Sequence, residues 1–216
     1  MLFNCQKALA AIFVTTLLFP GPAYTAEVNI TRDLESVEVL HKGRIITISR
    51  NQDAENTVNP RYAKTSRKCP PFCIQPIQVA PGVETVGELE LLDYLEKIRN
   101  GDDSIMVIDS RTPDWVANGT IPGSVNIPWT KLKPEAGADP FAISDILKEQ
   151  FNVLIREGLW DFSKAKTLVL FCNGMWCGQS PSNIHSLLDY GYPARKLKWY
   201  RGGMQDWETL GLTVVK

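Results

Sequence analysis

Thr167-Leu-Val-Leu-Phe171, followed by Cys172-Asn-Gly-Met-Trp-Cys177-Gly-Gln-Ser180-Pro181, is the stretch that decides the fold. Five apolar or β-branched residues in a row read as a strand buried on both faces. Ser180-Pro181 reads as a helix start, a capping hydroxyl followed by proline at the first helical position. The backbone from Cys172 to that start can curl into a cradle whose amide hydrogens point inward, and a helix N-terminus adds partial positive charge. Both effects favour thiolate over thiol at Cys172, and thiolate is the nucleophilic form. A bound anion would meet the same donors. Taken alone, a strand-end cysteine is weak evidence, and a small buried hydrophobe is the better reading of it.

Outward from this stretch the pattern alternates. Ser104-Ile-Met-Val-Ile-Asp109 is a second buried strand. Thr85-Val-Gly-Glu88 has the capping-box pattern and predicts a helix that starts there, with Leu91, Leu92, Leu95 and Ile98 on one face and Asn100-Gly101 at its end. Ile143, Ile146, Leu147, Phe151, Leu154 and Ile155 share helical spacing and predict a second long helix. Helices alternating with buried strands imply an α/β domain with a central, largely parallel sheet.

The N-terminal part differs. Ser36 to Arg50 holds two β-rich runs around His41-Lys-Gly43, a hairpin signal. Asn51 to Lys68 shows no periodicity and reads as a loop ending at Cys69-Pro-Pro-Phe-Cys73. Residues 27–80 are therefore taken as a β-rich extension, too small to stand alone, and residues 81–216 as the main domain. Before them, one positive charge at Lys7, an apolar run from Ala8 to Phe19 and small residues up to Ala26 follow the order of a secretory signal, residues 1–26, cleaved after residue 23 to 26. The run is shorter than the roughly 20 residues of a membrane span, so the mature chain is expected to have no span. Export, to the periplasm, is the expected destination. In an oxidising compartment the close cysteines Cys69 and Cys73 are expected to form a disulfide.

Lys plus Arg total 23 and Asp plus Glu 24, so no field of one sign argues for nucleic acid. His41 and His185 stand in no ligand-spaced cluster and no glycine-rich phosphate loop is present, so no metal and no cofactor are expected.

Four motifs in order give the chain a family resemblance. Val107-Ile-Asp-Ser-Arg111, Gly119-Thr-Ile-Pro-Gly-Ser-Val-Asn-Ile-Pro128, the loop Cys172 to Gly178, and Tyr200-Arg-Gly-Gly-Met-Gln-Asp-Trp207 resemble the rhodanese family over roughly Val83 to Lys216. The resemblance implies a sulfurtransferase. Cys172 would take a sulfane sulfur as a persulfide from thiosulfate or another persulfide donor and pass it to a thiol or cyanide, splitting one hard transfer into two easier ones. Its partners would be a small sulfur-containing anion or low-molecular-weight thiol, or a protein sulfur acceptor. The loop residues Asn173, Gly174, Met175, Trp176, Cys177 and Gly178 would form the site. Asp109 and Arg111 would pair at a strand end, and Gly202 and Gly203 would allow close backbone approach near the loop.

The chain also departs from the family. Thr120 stands where many members have histidine, and the loop carries no Lys or Arg, which weighs against thiosulfate as donor. Arg201 either supplies a charge from the neighbouring loop or is a surface arginine. Trp176 either walls the pocket or anchors the loop. Cys177, expected on the rim, either acts after sulfur uptake or is a packed side chain. Two other readings stay open: a thiol-disulfide redox protein using Cys172 and Cys177, and a non-catalytic binding module on the rhodanese fold. A phosphatase or arsenate reductase would need a loop arginine, which is absent.

Overall fold

A computed structural model describes residues 27–216. The expected export signal lies outside the described residues. The chain begins with an antiparallel hairpin, β1 (Ser36–His41) and β2 (Arg44–Ser49), with His41 opposite Arg44. Lys42 and Gly43 take φ of 48° and 77°, and two successive positive values match the right-handed twist of the flanking strands. A short helix α1 (Pro60–Ala63) follows. Then come β3 (Glu84–Val86), α2 (Glu88–Arg99), β4 (Ile105–Asp109), α3 (Pro113–Val116), β5 (Val125–Asn126) and α4 (Pro140–Asp145). A small hairpin of β6 (Leu154–Arg156) and β7 (Leu159–Asp161) leads to β8 (Thr167–Phe171), α5 (Gln179–Asp189), β9 (Leu197–Tyr200) and α6 (Gly203–Thr209).

The five strands β3-β9-β8-β4-β5, in that spatial order, form one parallel sheet. Its central strand β8 explains the unbroken apolar run, since side chains alternate between faces and both faces are covered. Leu168 and Leu170 pack with Ile184 and Leu187 of α5, whereas Val169 and Phe171 pack with Leu91, Leu92 and Leu95 of α2. Val37, Val39 and Ile48 of the first hairpin join this second cluster. The extension thus shares the domain's hydrophobic core. Backbone bonds from Asn51 to Gly211 and from Thr213 to Ser49 tie it to the C-terminal segment as well.

Four local expectations need correction. The helix after β3 starts two residues later than the Thr85 pattern implied, with Gly87 as its cap and the Glu90 carboxylate accepting from the Gly87 amide. Thr85 is instead in β3, and its hydroxyl donates to the carbonyl of Ile77. The second long helix stops early: α4 widens into a π-turn over Ile146–Gln150, and Asn152 at φ 57° ends it. Leu154 and Ile155 lie in β6, with Ile155 exposed. Ser180 lies inside α5, whose cap is Gly178. Finally, the loop Asn51 to Lys68 contains α1, where Asn59 caps the first turn and Pro60 opens it, burying Tyr62.

Candidate active site

Cys172 follows the last residue of β8, at the C-terminal edge of the sheet where open α/β folds place their sites. It is only 2% exposed. The Ser180 hydroxyl donates to its sulfur at 3.1 Å, and that hydroxyl accepts from the Trp199 indole N–H, also at 3.1 Å, which fixes its direction. When protonated, the Cys172 thiol donates to the Cys177 carbonyl at 3.3 Å. Burial would push the thiol up, but hydrogen bonds from the Cys177 thiol, the Ser180 hydroxyl and the amides of Ser180 and Gly174 bring it down to about 7. The thiol of Cys177 is pushed well up, by burial and by the negative charge developing beside it on Cys172. The pair therefore divides into a carrier of charge and a donor of a proton.

Cys177 is not on the rim. It is 4% exposed and packs with Cys172 and Trp176 in a separate small cluster. The amide group of Asn173 approaches its sulfur at 3.9 Å.

Beneath the loop lies a buried polar network. The Arg111 guanidinium, fully buried, pairs with both carboxylate oxygens of Asp109, at 2.8 and 2.6 Å, and donates to the Gly119 carbonyl at 2.7 Å. Burial opposes its charge, but the Asp109 bond and charge more than offset this and hold it ionised. Thr120 donates to Asp109 at 2.6 Å, so the residue that departs from the family pattern still contacts the carboxylate. The remaining Arg111 donor reaches the Tyr62 hydroxyl at 3.0 Å. Burial pushes that phenol up to about 12, and it donates in turn to Asn173 at 3.5 Å. The strand-end pair thus supports Asn173, the first loop residue after Cys172, both through Tyr62 of the extension and by a direct Arg111 contact at 3.5 Å.

Gly202 and Gly203 sit where α6 meets the loop. A Cβ on Gly203 would lie 2.3 Å from the Cys172 carbonyl oxygen, and its φ is +57°, so this position requires glycine. The amides of Met204 and Gln205 donate to the carbonyls of Cys172 and Asn173, both at 3.0 Å. Arg201 turns away from the cysteines and donates to the carbonyls of Pro76 and Gln75, at 3.1 and 2.8 Å.

The extension also covers the loop from above. Cys69 and Cys73 are bonded as a disulfide, with Cα atoms 4.7 Å apart. The strap they close presents Phe72 edge-on to Trp176, with centroids 5.6 Å apart, and Arg67 lies over the Trp176 ring at 4.1 Å. The Gln75 amide donates to the Met175 carbonyl at 2.8 Å. Trp176 is buried and donates to Gln205 at 2.7 Å, so it anchors the loop to α6 and to the strap. Between strap and domain is a cavity of 470 Å³ lined by Phe72, Trp115, Trp129, Lys133, Asn173 and Cys177 among others. His185 is exposed and lines a different opening, with Gln75 and Lys133.

Several of these residues escaped sequence reasoning. Ser180 carried a signal, but as a helix cap and not as a sulfur ligand. Tyr62, Phe72 and Lys133 carried none, because their roles depend on how the extension folds back. Among the described residues, no cluster of His, Cys, Asp and Glu is arranged to hold a metal, and no helix is long and apolar enough to cross a membrane.

Comparison with known proteins bears on the same region. Residues 91–210 match the rhodanese-like domain model, more than half of the 216-residue chain. Among solved structures, the human single-domain sulfurtransferase TSTD1 is 21% identical, covering 58% of this chain and 95% of that one, with a TM-score of 0.37. A rhodanese-related protein from Thermoplasma volcanium is 21% identical over 61% of this chain and 97% of that one, TM-score 0.37. A protein described as a possible tyrosine phosphatase, from Rhodopseudomonas palustris, is 19% identical over 63% and 88%, TM-score 0.41. No curated protein sequence matches. The matched domain begins inside α2, ends with α6 and contains both cysteines of the loop, and on that match the chain belongs to the rhodanese-like domain family.

Proposed function

We propose that the protein is a sulfurtransferase that carries sulfane sulfur as a persulfide on Cys172. The observation that carries this reading is the donor set around one sulfur: the Ser180 hydroxyl, two backbone amides and the Cys177 thiol, which together lower the Cys172 thiol to about 7 despite its burial. The start of α5 adds its partial positive charge on the same side. Thiolate Cys172 attacks the outer sulfur of the donor, the donor's sulfur–sulfur bond breaks, and the remainder leaves with the electron pair. The same donors then hold the persulfide anion until a thiol or cyanide attacks its outer sulfur. The physiological donor is proposed as a small sulfur-containing anion and the acceptor as a low-molecular-weight thiol or a protein thiol.

Mass measurement of the intact protein after incubation with thiosulfate, polysulfide or glutathione persulfide tests this. The expected result is a gain of one sulfur that Cys172→Ser abolishes and Cys177→Ser retains. Loading that survives Cys172→Ser and is lost in Cys177→Ser would refute the assignment. One observation favours a second reading: Cys172 and Cys177 pack in one small buried cluster as free thiols, so a loss of two hydrogens would point to thiol-disulfide chemistry between them.

Export is part of the proposal, with residues 27–80 as an extension and 81–216 as the domain. A Cys69–Cys73 disulfide suits an oxidising compartment. N-terminal sequencing of protein from the exporting host should read a start after residue 23 to 26, and an intact Met1 would count against it.

A further inference from the structure

The cavity beside Cys177 is unlike a site for a small, doubly charged anion. Three aromatic side chains line it, Phe72 from the disulfide strap and Trp115 and Trp129 from the domain. Lys133 is its one cation, and no carboxylate lines it. Asn173 and Cys177 of the active-site loop line it too, and Cys177 packs against Cys172. A volume of 470 Å³ suits a small organic molecule. A dianion such as thiosulfate would surrender its hydration against three aromatic faces and find one positive charge in return. A monoanion with an apolar body would lose little hydration, bury apolar surface and still match Lys133.

Resting on the persulfide reading of Cys172, we infer that this cavity selects an organic sulfane-sulfur monoanion with an apolar, ring-sized body, and that Phe72, Trp115, Trp129 and Lys133 determine that specificity. The sulfane sulfur points inward and the body lies between the strap and Trp129. With an organic thiosulfonate the step is balanced without any other reactant. Cys172 thiolate attacks the outer sulfur, the bond to the sulfonyl sulfur breaks, and the sulfinate leaves with the electron pair. One negative charge on the persulfide and one on the sulfinate replace the two at the start. The strap accordingly forms one wall of the substrate site, and the extension contributes to choosing the substrate.

Single-turnover sulfur loading of the full chain, read by intact mass, provides the test. The probes are the sodium salts of benzenethiosulfonate and methanethiosulfonate, which share the transferable sulfur and the single charge and differ in the ring. Each rate is normalised to that probe's rate with a free small thiol. Burial of the ring predicts a normalised preference for benzenethiosulfonate of about tenfold or more. Phe72→Ala and, separately, Trp129→Leu should each pull that ratio toward unity, and Lys133→Met should raise the half-saturating concentration of both probes. Equal normalised loading of the two probes by the unaltered protein would overturn the inference and leave sulfur transfer standing. Loading from neither probe, nor from thiosulfate or glutathione persulfide, would overturn the sulfur-transfer reading itself and this inference with it.

Discussion

Removing one oxygen atom tests how the site makes a thiolate without a loop cation. In Ser180→Ala the hydroxyl that donates to Cys172 at 3.1 Å is lost and the Trp199 indole N–H loses its acceptor. Hydrogen bonds to charged groups contribute about 1.5–3 kcal/mol, and each pH unit corresponds to about 1.4 kcal/mol. The Cys172 thiol should therefore move from about 7 upward by about one to two units. The sign follows from the bond favouring the charged form, so its removal favours the thiol. At neutral pH, where half the unaltered protein is ionised, the thiolate fraction should fall by about five- to fiftyfold. The assay is the rate of alkylation by iodoacetamide across pH, read at Cys172 by fragmenting the labelled peptide. In the unaltered protein the rate should climb through about pH 7 and level off. Trp199→Phe is the control, since it removes the indole N–H and leaves the serine hydroxyl free to donate. Denaturant unfolding should report a loss of about 1–3 kcal/mol in Ser180→Ala from the stranded indole N–H. An alkylation profile within half a unit of the unaltered one, accompanied by that stability loss, would show that Ser180 is a packing residue and that the thiolate argument fails.

Three further outcomes follow from the same structure. Asp109→Asn leaves the fully buried Arg111 charge without its partner and should cost about 3–5 kcal/mol; denaturant unfolding measures it, and a loss under about 1 kcal/mol would mean the network is dispensable. Gly203→Ala places a Cβ against the Cys172 carbonyl at a positive φ, so about 1–3 kcal/mol of backbone strain should add to a slowed alkylation of Cys172; normal alkylation would contradict the role given to this close approach. Cys69→Ser with Cys73→Ser removes a short closed loop and should cost about 2 kcal/mol by chain entropy, together with faster limited proteolysis in residues 64–76; unchanged cleavage there would show that the strap holds without its bond.

The sheet was legible because its signals were local and mutually consistent. The five-residue runs that became β4 and β8 are each apolar on both faces, and their alternation with helices left little choice but a parallel arrangement. Cysteine at the end of β8 was legible for the same reason, since a strand that feeds a helix turns at its C-terminal end. Boundaries were not. Gly87 capped α2 in place of Thr85 because the Glu90 carboxylate and the pairing of β3 with β9 together favour it. The helical spacing at Leu154 and Ile155 was overridden by the left-handed residues Asn152, Glu157 and Gly158, which set up a hairpin instead. Ser180 illustrates how a correct residue can receive a wrong role. A serine before a proline reads as a cap, yet Gly178 took that place and freed the hydroxyl for sulfur. The extension's part in the site was out of reach. Its contacts join residues more than a hundred positions apart, such as Tyr62 with Asn173 and Arg201 with Gln75, and no periodicity encodes such pairs.

A loop without Lys or Arg and a strap folded over it have one physical explanation. A cation in the loop would stabilise both the thiolate and a highly charged donor. Without one, stabilisation comes from oriented dipoles: the Ser180 hydroxyl, the amides of Gly174 and Ser180, and the start of α5. Dipoles weaken faster with distance than a full charge does, so they serve the sulfur they touch more than a substrate farther out. Water at the loop would screen them further. The strap answers that loss by excluding water, with Phe72 and Arg67 against Trp176 and the Gln75 amide on Met175. The cost is access, for Cys172 is 2% exposed. A sulfur donor in the neighbouring cavity would have to reach it past Asn173 and Cys177, which line that cavity. Loosening the strap with Cys69→Ser and Cys73→Ser should therefore raise the pH at which Cys172 alkylation reaches half its maximum, as water weakens the donors around the sulfur, and an unchanged midpoint would refute this account of the strap.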